Sequence, residues 1–122
     1  ELRDLTGQAL LDEASQVAAA QQLVQSEQAE IVAVSLGSEG AMVVSATEYW
    51  RAGAMAVDVQ TTIGAGDSFV AGMVWGISRD ESLLKAFQLG MASGAAALLR
   101  PGTSLCTPEN VYSLITHFSI KY

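Results

Sequence analysis

The chain has 122 residues, of which half are hydrophobic and 16% are charged, so it suits one domain with a packed core and argues against disorder. Its 13 acidic residues outnumber 6 Lys and Arg residues, and the formal net charge is −7. The basic residues are scattered, and nucleic-acid binding needs concentrated positive charge, so that function is disfavoured. No apolar run reaches the roughly 18 residues of a membrane span, and no signal-peptide pattern opens the chain. Cys106 is the single cysteine, so an internal disulfide is excluded and a cytoplasmic location is expected.

The first part of the chain predicts a helix followed by strands. Residues Leu10 to Gln28 are rich in helix-forming residues, and the apolar positions at roughly helical spacing are Leu11, Ala14, Val17, Ala18 and Leu23. The β-branched run Ile31–Ser35 is typical of a buried strand. Gly37 and Gly40 then predict a turn, and further strands are predicted at Ala41–Val44 and Glu48–Arg51.

The second part predicts helices. A glycine-rich turn from Thr61 to Asp67 leads directly into an apolar helical pattern that ends near Arg79. Another helix is predicted from about Glu81 to Leu99, stopped by Pro101-Gly102. A last helix is predicted to start at Thr107, with Thr as N-cap and Pro108 at the first helical position.

The phrase Gly64-Ala65-Gly66-Asp67, at the predicted start of a helix, is the main candidate for chemistry. Small residues let the backbone approach a ligand closely, and free amides at a helix N-terminus attract anions. Such a site holds phosphate oxygens, even in an acidic protein, and stabilises charge that develops in phosphoryl transfer. Asp67 would be repelled by a phosphate unless it faced an acceptor hydroxyl, whose proton it could accept.

A structural interpretation of Asp67 stays open on local composition alone. Aspartate is common in the first turn of any helix, because it complements the helix dipole and caps free amides. Other phosphate-binding motifs do not decide between a catalytic and a structural role for Asp67. The chain has no P-loop motif, and Gly64-Ala65-Gly66 lacks the third glycine of a dinucleotide fingerprint.

The run Thr62–Phe69 closely resembles the C-terminal signature of the phosphofructokinase-B (ribokinase-like) carbohydrate kinases. Ser35–Ala41 looks like the nucleotide-binding turn of that family, and Leu89–Ala97 is similar to its helix beside the adenine. Glu1-Leu2 resembles the end of its Asn-x-x-Glu motif. The resemblance implies an α/β fold. Residues 1–122 would be the C-terminal portion of a three-layer α/β/α domain, without its N-terminal half and lid, and inactive alone.

The resemblance also implies an ATP-dependent kinase that acts on a sugar phosphate, with ATP and Mg²⁺ as cofactors and a homodimer as the intact form. Thr61 departs from the Asp that many members carry there, and sugar-phosphate kinases often have Ser or Thr. Gly102–Cys106 looks most like the minor bacterial type of 6-phosphofructokinase, which favours fructose 6-phosphate as acceptor. A 1-phosphofructokinase, a tagatose-6-phosphate kinase and a non-catalytic nucleotide-binding module remain alternatives.

The residue roles follow from the same resemblance. Asp67 would be the base, and the amides of Gly64, Ala65 and Gly66 would form the anion hole. The residues expected around the nucleotide are Ser35, Gly37, Gly40, Thr62, Met91 and Ala95. Glu1 would belong to the network that positions Mg²⁺. A K⁺ ion bound by backbone carbonyls would be held at Thr61, Ile63, Ala97, Arg100, Gly102 and Ser104.

Structural explanations stay open for several of these residues. Ser35 and Gly37 could simply end a strand and make a turn. The small residues from Gly90 to Ala97 could serve only to let helix and sheet pack closely.

Overall fold

The computed structural model describes residues 13–54, 64–99, 108–115 and 120–121. In order along these ranges, the helices and strands are α1 (Glu13–Gln25), β1 (Ile31–Ser35), β2 (Ala41–Ser45), β3 (Tyr49–Ala52), α2 (Ala65–Ser78), α3 (Leu83–Leu98), α4 (Pro108–Ile115) and β4 (Ile120–Lys121). A short 3-10 turn, Gly37–Glu39, joins β1 to β2. Within these ranges, no helix is long and apolar enough to cross a membrane.

The strands form an antiparallel sheet in the order β1-β2-β3-β4. Successive side chains of β2 point to opposite faces, as the strand period requires. Met42 and Val44 pack against α1, whereas Ala41 and Val43 pack against α2 and α3. The sheet therefore lies between helices on both faces, which confirms the predicted α/β fold with three layers.

The helix α1 lies within the predicted stretch Leu10–Gln28 but ends at Gln25, and the predicted apolar face is wrong in part. Ala14 and Ala18 are exposed, whereas Ala19 and Ala20 are fully buried against the sheet together with Leu23. Alanine is so frequent in this segment that its spacing does not select one face. Leu11 lies outside the described residues.

The strand β1 is also less buried than its β-branched sequence indicates. Ala33 and Ser35 are exposed, and the other positions are only partly buried. Among the described strands, β1 pairs only with β2, so its other edge has no described neighbour. Pairing on one side leaves more of a strand accessible than pairing on both sides.

The helices α2 and α3 pack closely because glycines line their contact. A β-carbon added at Gly76 would lie 2.7 Å from the Ala86 Cα, and one at Gly72 would lie 2.6 Å from the Leu89 carbonyl oxygen. The small residues of α3 therefore have a packing role against α2. Close packing was predicted between helix and sheet, whereas the close neighbour of Gly90 is α2: an added β-carbon would lie 3.0 Å from the Phe69 carbonyl oxygen.

The opposite side of α2 exposes an apolar surface, consisting of Val70, Val74, Trp75 and Ile77. The guanidinium carbon of Arg79 lies 5.0 Å from the centroid of the Trp75 ring, within the range of a cation–π contact. One side of α2 thus packs against α3, and the other side is exposed to solvent in the described part of the protein.

Candidate functional site

A cavity of about 550 Å³ opens between the β1–β2 turn, the N-terminus of α2 and the helix α3. The turn contributes Gly37, Ser38 and Gly40 to its wall. The start of α2 contributes Ala65 and Gly66. No described side chain that lines the cavity carries a charge. The cavity has the size and apolar character that small-molecule sites have.

The β1–β2 turn is held by backbone hydrogen bonds. The Leu36 amide donates to the Gly40 carbonyl at 2.8 Å, and the Gly40 amide donates to the Gly37 carbonyl at 3.1 Å. Gly40 has φ +99°, and a β-carbon there would overlap the Ala52 carbonyl oxygen of β3. Gly40 is therefore required by the close approach of β3, which gives it a structural role independent of any ligand.

The first amides of α2 have no hydrogen-bond acceptor within the helix. Gly64 occupies the N-cap with φ +81°, in the left-handed region, and no side chain caps the helix from that position. The first helical hydrogen bond runs from the Ser68 amide to the Gly64 carbonyl at 2.9 Å. The amides of Ala65, Gly66 and Asp67 precede it, so the helix geometry gives them no intrahelical acceptor.

This N-terminus also has room for a ligand. A β-carbon added at Gly64 or at Gly66 would meet no described heavy atom within 4 Å. The open space and the positive end of the helix dipole together make a place where a phosphate group could lie.

Asp67 lies in the first turn of α2, at the third helical position, and is exposed. It adjoins Gly66 in sequence but is not itself part of the described cavity wall, and neither is Gly64. At this position its charge also complements the helix dipole, which is the structural role that local composition left open. The placement fits both roles, and a substitution separates them.

The helix α3 forms the other wall of the cavity. Met91 and Ala95, both predicted to lie near a nucleotide, line it together with Gly94 and Leu98. Ser35, at the end of β1, lines it too. The structure thus brings Ser35, Gly37, Gly40, Met91 and Ala95 around one space, together with Ala65 and Gly66 of the predicted anion hole.

Sequence reasoning gave no individual site role to several residues of the wall, namely Ser38, Ala41, Ala54, Phe69, Gly94 and Leu98. All of them except Ala54 and Leu98 lie in the runs that carry the resemblance. Leu98 follows Met91 and Ala95 at helical spacing, so this periodicity could have revealed it. Phe69 ends the signature run Thr62–Phe69, but that run does not distinguish a cavity residue from a core residue, and the Phe69 side chain also belongs to the core between the sheet and the helices.

The remaining predicted site residues are not part of the described cavity wall. Those that lie outside the described residues are Glu1, Thr61, Thr62, Ile63, Arg100, Gly102 and Ser104. Ala97 is buried in α3 and does not line the cavity. In the parts of the chain that the structure describes, no group of three or more His, Cys, Asp or Glu residues could hold a metal ion. The described residues thus enclose a small-molecule cavity that contains no such metal-binding cluster.

Comparison with known proteins identifies the family of the chain. A model of the family described as pfkB family carbohydrate kinase matches residues 1–110. The chain belongs to this family. It is 43% identical over 111 residues to ATP-dependent 6-phosphofructokinase isozyme 2 of Mycobacterium tuberculosis, and the match covers 91% of this chain and 33% of that protein.

Other pfkB family proteins agree with this assignment. The chain is 38% identical over 90 residues to 1-phosphofructokinase of Escherichia coli, which covers 74% of the chain and 29% of that protein. The fold matches the crystal structure of phosphofructokinase-2 from Escherichia coli in complex with potassium. This match has a TM-score of 0.91 at 34% identity and covers 96% of this chain and 38% of the other. The chain therefore spans about a third of the length of the curated relatives it matches.

Proposed function

We propose that the whole protein that carries these residues is an ATP-dependent sugar-phosphate kinase. The preferred reaction converts fructose 6-phosphate to fructose 1,6-bisphosphate. The observation that carries the proposal is the single cavity shared by the β1–β2 turn, the free N-terminus of α2 and the small-residue wall of α3. Similarity to a protein named ATP-dependent 6-phosphofructokinase isozyme 2 supports both the nucleotide and the acceptor.

The nucleotide would lie along this cavity. Its adenine would lie against the apolar wall near Met91 and Ala95. Its terminal phosphates would then reach the N-terminus of α2, where the amides of Ala65 and Gly66 donate hydrogen bonds to phosphate oxygens. Gly64 belongs to the same anion hole and, being in the left-handed region, turns the chain into the helix.

The reaction would be an in-line transfer. A hydroxyl oxygen of the sugar phosphate attacks the γ-phosphorus of ATP, and the bond from that phosphorus to the bridging oxygen breaks, so ADP leaves with the bond's electron pair. Asp67 accepts the hydroxyl proton as the new bond forms. The helix N-terminus stabilises the negative charge on the transferring group.

The ions and the assembly belong to the same proposal. Mg²⁺ would neutralise the phosphate charge when bound, with Glu1 in the network that positions it. A K⁺ ion would be bound by backbone carbonyls of the positions named above. The working form would be a homodimer in the cytoplasm, and the 122 residues alone would not catalyse the reaction.

A related acceptor is the second candidate, supported by the similarity to 1-phosphofructokinase. Fructose 1-phosphate and tagatose 6-phosphate carry the same kinds of group as fructose 6-phosphate, so an assay with each acceptor separates these candidates. A non-catalytic nucleotide-binding module is the third candidate, and the exposed carboxylate of Asp67 beside the anion site argues against it.

An ADP-release assay on the whole protein with MgATP tests the proposal. Fructose 6-phosphate, fructose 1-phosphate, tagatose 6-phosphate and ribose are offered in turn, and the 122-residue chain is assayed beside it. We expect the highest kcat/KM on fructose 6-phosphate and no turnover by the isolated chain. A preference for another acceptor would select the related kinase, and ATP binding without turnover on any acceptor would select the binding module.

A further inference from the structure

Gly94 of α3 lies directly against the start of α2. A β-carbon added there would lie 3.2 Å from the carbonyl oxygen of Ala65 and 3.5 Å from the Cβ of Phe69. A contact of 3.2 Å is tighter than nine in ten real β-carbon contacts, so the neighbour would have to move by a few tenths of an ångström. Gly94, Ala65 and Phe69 all line the cavity.

The carbonyl of Ala65 is coupled to the amide that faces the ligand. The oxygen of Ala65 and the N–H of Gly66 belong to the same peptide group, which is planar and rigid. Pressure on that oxygen therefore moves the Gly66 amide by a similar amount. Oxyanion donors act over a narrow range of distances, about 2.7–3.1 Å, so such a movement matters for charge stabilisation.

We propose that Gly94 is a positioning residue for the anion site, because its missing side chain sets where the peptide between Ala65 and Gly66 lies. The inference rests on the proposed function, in which that peptide binds the phosphates of ATP. Gly94 itself touches no reacting atom in this account and acts only through the α2 backbone.

The contact between α2 and α3 also contains a matched control residue, far from the cavity. Gly76 lies near the C-terminus of α2, and a β-carbon there would lie 2.7 Å from the Ala86 Cα and 2.9 Å from the Ala86 Cβ. Gly76 does not line the cavity. The overlap at Gly76 is more severe than at Gly94. If Gly94 had only a structural role, Gly76→Ala would therefore lower both the melting temperature and kcat more than Gly94→Ala does.

The experiment compares Gly94→Ala and Gly76→Ala in the whole protein. We expect Gly94→Ala to lower kcat about tenfold, because a displacement of about 1 Å in a site costs about a hundredfold. Its melting temperature should stay close to that of the unchanged protein, since alanine has the higher helix propensity. Gly76→Ala should lower the melting temperature and leave kcat of the folded protein within about twofold.

A binding measurement detects displacement of the Gly66 amide without relying on catalytic turnover. Calorimetry should show the affinity of Gly94→Ala for ATP about threefold weaker, with the affinity for adenosine unchanged, because only ATP carries phosphates to the α2 amides. If the unchanged protein turns over no acceptor, the proposed function fails and this binding comparison alone decides the inference.

Several results would overturn the inference. One is an unchanged kcat in Gly94→Ala, or, where no acceptor is turned over, an unchanged affinity for ATP. Another is equal weakening of ATP and adenosine binding, which would indicate general damage. A third is a Gly94→Ala protein that fails to fold while Gly76→Ala folds. That result would show that Gly94 is needed for folding itself, although its overlap is the milder of the two.

Discussion

The rings of Phe69 and Phe87 meet edge to face, with their centroids 6.3 Å apart and their planes at 89°. Phe69 lies one turn into α2 and lines the cavity, whereas Phe87 is fully buried in α3. This contact fixes the first turn of α2, and therefore its free amides, against the core between the sheet and the helices. The proposed anion site thus depends in part on Phe87, which does not line the cavity.

Truncation of Phe87 should therefore destabilise the protein strongly. We expect Phe87→Ala to lower the free energy of unfolding by about 3–5 kcal/mol, because it removes a fully buried aromatic ring and leaves a cavity. Tyr112→Ala is the control, since that ring is half exposed on α4, and it should cost less than about 1 kcal/mol. Urea denaturation of the whole protein measures both, and equal losses would contradict the packing described here.

A substitution at Gly40 tests the turn beside the cavity. Gly40→Ala should be the costlier of two turn substitutions, because it combines φ +99° with overlap of the Ala52 carbonyl oxygen. Gly37→Ala is the control, since Gly37 has φ +60° but meets no atom within 4 Å. For Gly37→Ala we expect about 1–2 kcal/mol from the left-handed backbone alone. If denaturation gives Gly40→Ala the smaller loss, the close approach of β3 to the turn is wrong.

Much of the fold could be predicted because its elements carry strong local signals. The glycine-rich turn and the apolar pattern after it placed α2, which begins at Ala65. The next helix was predicted to start at about Glu81 and begins two residues later, at Leu83. There the N-cap is Ser82, whose hydroxyl accepts a hydrogen bond from the Lys85 amide at 3.1 Å. β-Branched and aromatic residues placed β1, β2 and β3 to within about a residue.

Features that depend on tertiary contacts could not be predicted in the same way. The strand β4 consists of Ile120 and Lys121 and pairs with β3, and a run of this length has no periodicity to detect. The buried face of α1 is set by the sheet, because alanines on both faces suit a helix equally. The wall residue Phe69 of α2 packs in the same core cluster as Phe87 and Met91 of α3, so its place depends on contacts between the helices.

The candidate site was predictable only as far as a resemblance could be read from the sequence. Local chemistry pointed to an anion site at Gly64–Asp67 and left two roles open for Asp67. Ser35, Ala65 and Met91 border one cavity although they are far apart in the chain. Their meeting follows from the packing of α2 and α3 against the sheet, which no local pattern of residues encodes.

The central claim is that Asp67 is the base of a phosphoryl transfer, and the most direct test is the turnover of Asp67→Asn in the whole protein. Asparagine keeps the size of the side chain but cannot accept the proton, so we expect kcat to fall by about 10²–10⁴. Affinity for ATP and the melting temperature should stay close to those of the unchanged protein. Asp80→Asn is the matched control, because Asp80 is exposed beyond the other end of α2, and its kcat should be unchanged. A near-normal kcat in Asp67→Asn would contradict the account and leave Asp67 as a residue that only complements the helix dipole.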